Sequence, residues 1–104
     1  MSVTNLQSPR SGKPVANQFE IRIRDRIIFK SYEKIIAIRN STTGETLVNK
    51  DYWDSSQTTL KYFKVWLDTT MSKAQLDKHM KENYPQFSLV NNLMIQETYY
   101  GLMG

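Results

Sequence analysis

The sequence predicts a small α+β domain in which an antiparallel β-meander of about four strands precedes two short helices and a C-terminal strand (ββββααβ). Apolar and charged residues alternate over 19–24, which is the period of a half-buried strand. At Ser55 or Ser56 the apolar period changes to that of a helix. A chain of 104 residues with 39% hydrophobic content is long enough for one modest core.

Composition divides the chain into three segments. Residues 1–17 are rich in Ser, Asn, Pro and Gly and contain no aromatic residue, so we expect a flexible, basic N-terminal arm that carries Arg10 and Lys13. Residues 18–90 hold the α+β domain. Residues 91–104 form an apolar C-terminal segment, for which packing, oligomerisation and partner docking are the alternatives.

The first half of the domain contains the predicted meander. Alternating apolar and charged residues over 19–24 predict a strand with a charged outer face. Arg24-Asp25-Arg26 predicts a tight reversal into a second strand over 27–32. The β-branched run over 33–40 predicts a third strand, and 45–49 predicts a fourth after the turn residues of "NSTTGE".

Two helices and a last strand are predicted next. Leu60, Phe63 and Leu67 fall on one helical face, which we expect to lie in the core, and Ser or Asp just before it can cap the helix. A second helix starts at Ser72, with Gln75 at capping-box spacing, and should end at Pro85. The segment "QFSLV" predicts the last strand.

Four aromatic residues accompany the first predicted helix, and only part of such a belt fits under one short helix. We predict that they mainly pack in the core, with one polar atom at its edge. Contact with a ligand or a partner is the alternative. The four residues are Tyr52, Trp53, Tyr62 and Trp66.

One pattern of residues resembles a family of small, functionally uncharacterised bacteriophage proteins. The resemblance covers about residues 8 to 90 and implies a phage origin and action in the cytoplasm of the infected bacterial host. It brings no activity and no catalytic residues. The pattern consists of Asn17-Gln18-Phe19, Phe29-Lys30-Ser31-Tyr32, Ile36-Ala37, Tyr52-Trp53-Asp54 and the run Ser56-Gln57-Thr58-Thr59-Leu60-Lys61-Tyr62.

The residue types argue against enzymatic chemistry. The chain contains no cysteine, which excludes thiolate nucleophiles and cysteine-based zinc sites. Its four glycines do not form a phosphate-binding loop. The single histidine, His79, follows Asp77 by two residues, a spacing that does not bring them together on a helix. We therefore predict a protein without catalytic residues, cofactor or metal. Its apolar runs fall short of the roughly 18 residues of a membrane span, so no membrane partner is expected.

The leading functional hypothesis is a basic sheet face that binds nucleic acid. The formal net charge is +4, and between residues 18 and 39 six Lys and Arg residues stand against three Asp and Glu residues. If the cations of the first two strands lie on the same side, they would follow a phosphate backbone while aromatic residues stack on bases, which predicts sequence-tolerant binding of single strands. The competing interpretation is a solvated face whose charges prevent aggregation. The candidates are Arg22 and Arg24 on the first strand, Arg26, Lys30 and Tyr32 on the second, and Arg10 and Lys13 on the arm.

A second hypothesis concerns the C-terminal segment "NNLMIQETYYGLMG". A free tail of this composition would expose much apolar surface, so it should pack on its own domain, pair with another copy or bind a host protein. The last option describes a phage protein that binds and inhibits a host protein or defence complex. The candidates for docking or oligomerisation are Leu93, Ile95, Tyr99, Tyr100, Leu102 and Met103.

Overall fold

The computed structural model describes residues 1–82 and 86–104, so Pro85, the predicted end of the second helix, lies outside the described residues. The described elements are, in chain order, β1 (Ser2–Gln7), β2 (Pro14–Ile23), β3 (Arg26–Ser31), β4 (Lys34–Asn40), β5 (Thr46–Asn49), α1 (Gln57–Leu67), α2 (Lys73–Lys81), β6 (Phe87–Val90) and α3 (Asn92–Met103).

The strands form one six-stranded mixed sheet in the order β1-β2-β3-β4-β5-β6. The first five strands are antiparallel to their neighbours, whereas β6 pairs in parallel with β5. A parallel neighbour requires a long crossover, which α1 and α2 provide. The predicted α+β class is confirmed, but a four-stranded meander with two helices understates the fold.

Helices cover both faces of the sheet. We call the face that packs against α1 and α2 the front face, and the face that packs against α3 the back face. The back-face core is made of isoleucines: Ile21, Ile23, Ile28, Ile35, Ile38 and Ile95. The front-face core is larger and aromatic: Phe29, Ile36, Ala37, Val48, Trp53, Tyr62, Phe63, Trp66, Leu76, Met80 and Phe87.

A β-bulge allows β4 to serve both cores. The β3–β4 register shifts between Phe29, which pairs with Ala37, and Lys30, which pairs with Ile35. Ile36 is therefore an extra residue, and it joins Ala37 in the front-face core while Ile35 lies in the back-face core. A strand buried on both sides has a continuous apolar sequence, which explains the β-branched run of β4.

Two hairpins turn within two residues each. Arg24-Asp25 joins β2 to β3, with Arg24 at φ 54°, and Tyr32-Glu33 joins β3 to β4, with Tyr32 at φ 55°. Two-residue hairpin loops favour positive φ because it matches the strand twist, and both residues accept the left-handed region without being glycine. The tight reversal predicted at 24–26 is confirmed.

The N-terminal segment is not a flexible arm, contrary to our prediction for residues 1–17. It forms β1 and the start of β2, where the Asn5 side-chain amide donates to the Val15 carbonyl at 2.9 Å. Loop 8–13 joins the two strands and is closed by a hydrogen bond from Ser8 N to the Lys13 carbonyl at 2.9 Å. Because Leu6 and Val15 pack against the front-face core, this hairpin belongs to the domain.

The start of helix α1 agrees with the prediction, but its buried face differs from the predicted one. As predicted, Ser56 caps its start, accepting a hydrogen bond from Thr59 N at 3.0 Å. The predicted buried stripe is correct for Phe63, but Leu60 and Leu67 are only partly buried. Relative to the predicted face, the buried stripe is rotated toward the aromatic side chains, because these bury more apolar area. It consists of Thr59, Tyr62, Phe63 and Trp66.

Helix α2 confirms the predicted capping box. Gln75 N donates to Ser72 Oγ at 3.2 Å, and Ser72 N donates to Gln75 Oε1 at 3.0 Å. Its buried residues are Leu76 and Met80. The last predicted strand is confirmed as β6.

The C-terminal segment forms α3, which the sequence analysis did not predict. Asn91 caps this helix, and the Asp51 carboxylate accepts a hydrogen bond from Asn92 N at 2.8 Å. Ile95 is fully buried in the back-face core, and Tyr99 and Leu102 pack partly against it. The segment therefore packs on its own domain along one side. Its other side leaves large apolar residues exposed, namely Leu93, Met94, Tyr100 and Met103.

Candidate binding groove between the first helix and the first hairpin

Three of the four candidate aromatic residues are core residues. Trp53, Tyr62 and Trp66 are only 4%, 6% and 7% exposed. Trp66 stacks on Phe63 with 6.2 Å between ring centroids, and Trp53 meets Phe63 edge-on at 6.1 Å. Their ring faces are therefore not available to stack on bases. The fourth candidate, Tyr52, is partly buried and has Lys34 Nζ 5.1 Å from its ring centroid.

The strand register places the two basic sets on opposite faces of the sheet. Arg26 pairs with Ile23, and Lys30 pairs with Phe19, so these cations share the back face with apolar residues. Arg22 pairs with Ile27, which lies on the front face. The condition for one continuous basic sheet face is therefore not met, because side chains alternate between faces along each strand.

The candidate residues of the first two predicted strands also include residues that lie at turns or form ion pairs. Arg24 and Tyr32 occupy the hairpin turns described above. Arg22 Nε lies 3.2 Å from Glu20 Oε2, and an Arg26 guanidinium nitrogen lies 2.6 Å from Asp25 Oδ1. These exposed pairs reduce the local positive charge that a phosphate backbone would meet.

A buried polar cluster joins the start of α1 to β3. Ser31 Oγ lies 2.9 Å from Thr59 Oγ1, which also accepts from Ser56 Oγ at 3.0 Å. Gln18 pairs with Ser31 across the strands and is fully buried. Neither of its amide atoms has a partner within residues 1–82 and 86–104. These contacts join the start of the helix to the sheet.

A concavity lies on the outer side of α1. Its volume is about 640 Å³, and it is bounded by α1, by the residues that follow the helix and by loop 8–13. The helix ends at Asp68, whose left-handed backbone (φ 58°) turns the chain along the groove. The lining residues are Pro9, Gln57, Leu60, Lys61, Lys64, Val65, Asp68, Thr69 and Thr70.

This groove, which we call the α1 groove, is lined by apolar and cationic side chains. Pro9, Leu60 and Val65 supply the apolar surface, while Lys61 and Lys64 supply positive charge. The loop that contributes Pro9 also carries two of the predicted phosphate contacts, Arg10 and Lys13, both exposed. The described lining itself holds two of these four cations, Lys61 and Lys64, and one carboxylate, Asp68.

The groove lysines were missed by the sequence analysis, although a signal for them exists. Leu60 and Val65 are apolar residues of α1 that lie outside its buried stripe. Leu60 is followed by Lys61, and Val65 is preceded by Lys64. Leu60 and Val65 pack partly against the front-face core, and the neighbouring lysines mark the solvent side of the helix.

Residues 1–82 and 86–104 contain no group of three or more His, Cys, Asp or Glu residues arranged to hold a metal ion. None of the helices formed by those residues has the length and apolarity needed to cross a membrane. His79 is partly buried on α2.

Comparison with known proteins identifies one family. Residues 1–83 match a family of unknown function (DUF8033), a stretch that includes β1 to α2 and therefore the whole α1 groove. No curated protein and no solved structure matches the chain. Since the match extends over most of the 104 residues, the chain belongs to the DUF8033 family.

Proposed function

We propose that this is a non-enzymatic binding protein whose α1 groove holds an acidic, partly apolar segment of a partner protein. The observation that carries the proposal is that Lys61 and Lys64 line the groove together with the apolar residues Leu60 and Val65. The phage origin, the bacterial host as the source of the partner and the host cytoplasm as the location are predictions that rest on the resemblance given above.

The dimensions of the groove are sufficient for a short segment of protein. Small-molecule pockets typically measure about 300 to 1,000 Å³. At about 640 Å³ the α1 groove can take a few side chains of a docked segment. Apolar anchors on the partner would remove Leu60 and Val65 from water, which is the main source of affinity at interfaces.

The charges favour an acidic partner. Lysine side chains cover apolar surface with their stems and keep the ammonium group in water. Carboxylates on the rim of a docked segment would therefore meet Lys61 and Lys64 without becoming fully buried. Such rim pairs mainly increase the association rate and the selectivity for acidic partners.

Single-stranded nucleic acid is the second candidate for the same groove. The cations of loop 8–13, Arg10 and Lys13, favour it because together with the groove lysines they could follow a phosphate backbone. The buried tryptophans do not favour it, since sequence-tolerant binding of single strands normally uses exposed aromatic faces. Acidic protein therefore comes first.

A selection from a random peptide library tests the proposal. Peptides that bind the wild-type protein would be collected after removal of those that bind the double variant Lys61→Glu/Lys64→Glu. We expect the remaining peptides to combine Asp or Glu with Leu, Ile or Phe, and to shift the amide resonances of Leu60 and Val65. The matched control is Lys50→Glu/Lys78→Glu, which changes the same charge at two exposed lysines away from the groove.

The outcomes separate the two candidates. Selected peptides that bind the control as well as the wild type, but not the groove variant, support a protein partner. A 20-nucleotide oligothymidine that binds in the same way, with an affinity that falls steeply with salt, supports nucleic acid instead. Peptides without acidic residues, or equal losses in both double variants, would contradict the groove proposal.

A further inference from the structure

A second concavity, separate from the α1 groove, lies on the front face near β5 and β6. Its volume is about 380 Å³, and its lining contains one charged residue, Arg39, together with Gly44, Thr46, Gln86 and Phe87. Arg39, Thr46 and Phe87 are consecutive members of one cross-strand row, so they point to the same side of neighbouring strands.

Two contacts fix the guanidinium of Arg39. Its central carbon lies 4.6 Å from the ring centroid of Trp66, a cation–π contact with a core residue. Its Nε atom lies 3.4 Å from Thr46 Oγ1. A guanidinium that is stacked on one plane and held at Nε loses little further freedom when it binds a ligand.

The charge of this guanidinium is not neutralised by a neighbouring carboxylate. Within the described part of the chain, no Asp or Glu forms an ion pair with Arg39. The carboxylate that influences it most, that of Glu20, is already paired with Arg22. Burial lowers the pKa of Arg39 from its usual value, and Glu20 opposes that shift. A partly buried charge without a counterion favours binding of an anion.

We propose that this pocket binds a small oxyanion, a carboxylate or phosphate group, through the guanidinium of Arg39. Arginine presents parallel N–H donors that match both groups. Thr46 and Gln86 add polar atoms to the lining, and Phe87 supplies an apolar wall for the rest of a small ligand. This site faces β5 and β6, whereas the α1 groove lies on the outer side of α1, so the two proposals can fail independently.

Nuclear magnetic resonance on the full chain tests the site. The isotope-labelled protein would be titrated with sodium phosphate, with sodium acetate and with sodium chloride at constant ionic strength. Two signals report directly: the Arg39 Nε–H group and the indole N–H group of Trp66. We expect saturating shifts of both signals with phosphate or acetate, and none with chloride. Saturation by phosphate alone identifies a phosphate ligand, and saturation by acetate alone identifies a carboxylate.

A pair of variants separates a built site from general charge effects. Arg39→Lys keeps the charge but loses the parallel donors, so the apparent affinity should fall at least tenfold. Arg24→Lys makes the same change at an exposed arginine in the β2–β3 turn and should leave the titration unchanged. Thermal melting of both variants verifies that they are folded. Linear shifts of equal size for all three anions, or equal losses in both variants, would overturn the proposal.

Discussion

Phe63 of α1 stacks on Phe29 of β3, with 6.0 Å between the ring centroids and 9° between the planes. Both rings are fully buried, and Trp66 stacks against each of them. Offset stacking of this kind adds to the free energy gained by burying the rings. This aromatic group fastens the first helix to the sheet, so it also fixes the position of the α1 groove on the other side of that helix.

The first prediction follows from this contact. Phe63→Ala should lower the free energy of unfolding by about 3 to 5 kcal/mol, because it removes a buried ring and leaves a cavity. Leu60→Ala, on the partly buried groove side of the same helix, should cost less than half as much. Urea denaturation of the two variants and the wild type measures both effects. Equal losses would mean that Leu60 belongs to the buried stripe together with Phe63, as the sequence alone predicted.

The second prediction concerns the fully buried Gln18. A buried amide without hydrogen-bond partners costs about 1 to 3 kcal/mol, and methionine has a similar unbranched shape without that cost. Gln18→Met should therefore raise the free energy of unfolding by about 1 kcal/mol or more. Ser31→Ala, which removes the 2.9 Å contact with Thr59, should lower it instead. A loss of stability in Gln18→Met, measured by the same denaturation, would show that the amide is satisfied in solution.

The elements that the sequence predicted correctly have strong local signals. The capping box of Ser72 and Gln75 is a side-chain and backbone pattern that depends on a few neighbouring residues. The strands β2 to β4 alternate or are continuously apolar because the core covers one or both of their faces. Two-residue turns are likewise set by local backbone geometry.

The missed elements have no such signal. Strand β1 lies at the sheet edge with five of its six residues exposed, so its sequence has no buried period and resembles a loop. Helix α3 exposes Leu93 and Tyr100 on its outer side, which hides the stripe that contains Ile95. The phase of α1 depends on which side chains fill the space above Phe29, and this is a tertiary property.

Less of the candidate site than of the fold could be predicted from the sequence. The α1 groove is formed by residues about fifty positions apart, with Pro9 in one hairpin and Leu60 on a helix. The composition of residues 1–17 predicted a free arm, in which Arg10 and Lys13 have no fixed neighbours. Arg22 and Arg26 were expected to share one basic surface, but the strand register places them on opposite faces of the sheet.

The third prediction compares the stability contributions of the buried side and the exposed side of α3. Ile95→Ala should lower the free energy of unfolding by about 2 to 5 kcal/mol, because this side chain is fully buried in the back-face core. Leu93→Ala should change it by no more than about 0.5 kcal/mol, since Leu93 is 67% exposed. Denaturation of both variants tests the assignment, and a large effect at Leu93 would contradict it.

Removal of the whole segment is predicted to damage the fold. Deletion of residues 93–104 uncovers the back-face isoleucines, so a poorly soluble or unfolded product is expected. Such a product would show that the segment packs, without testing whether its outer side binds a partner. The point variant Leu93→Ala is the better test of docking, because it alters the exposed side and leaves Ile95 in place.

The fourth prediction concerns pH and rests on Tyr99. Burial raises the pKa of its phenol above the usual value, and the charge of Tyr100 acts in the same direction. The folded protein therefore holds the phenolic proton more tightly than the unfolded chain does. A raised pKa in the folded state contributes stability below the unfolded pKa of about 10 and loses it as the pH rises through the folded pKa. In urea denaturation from pH 8 to 11, the wild type should lose more stability above about pH 10 than Tyr99→Phe. The control Tyr32→Phe changes an exposed tyrosine in a turn and should follow the wild type. If wild type and Tyr99→Phe lose stability in parallel, the phenol is not buried by the packing of α3 on the back face.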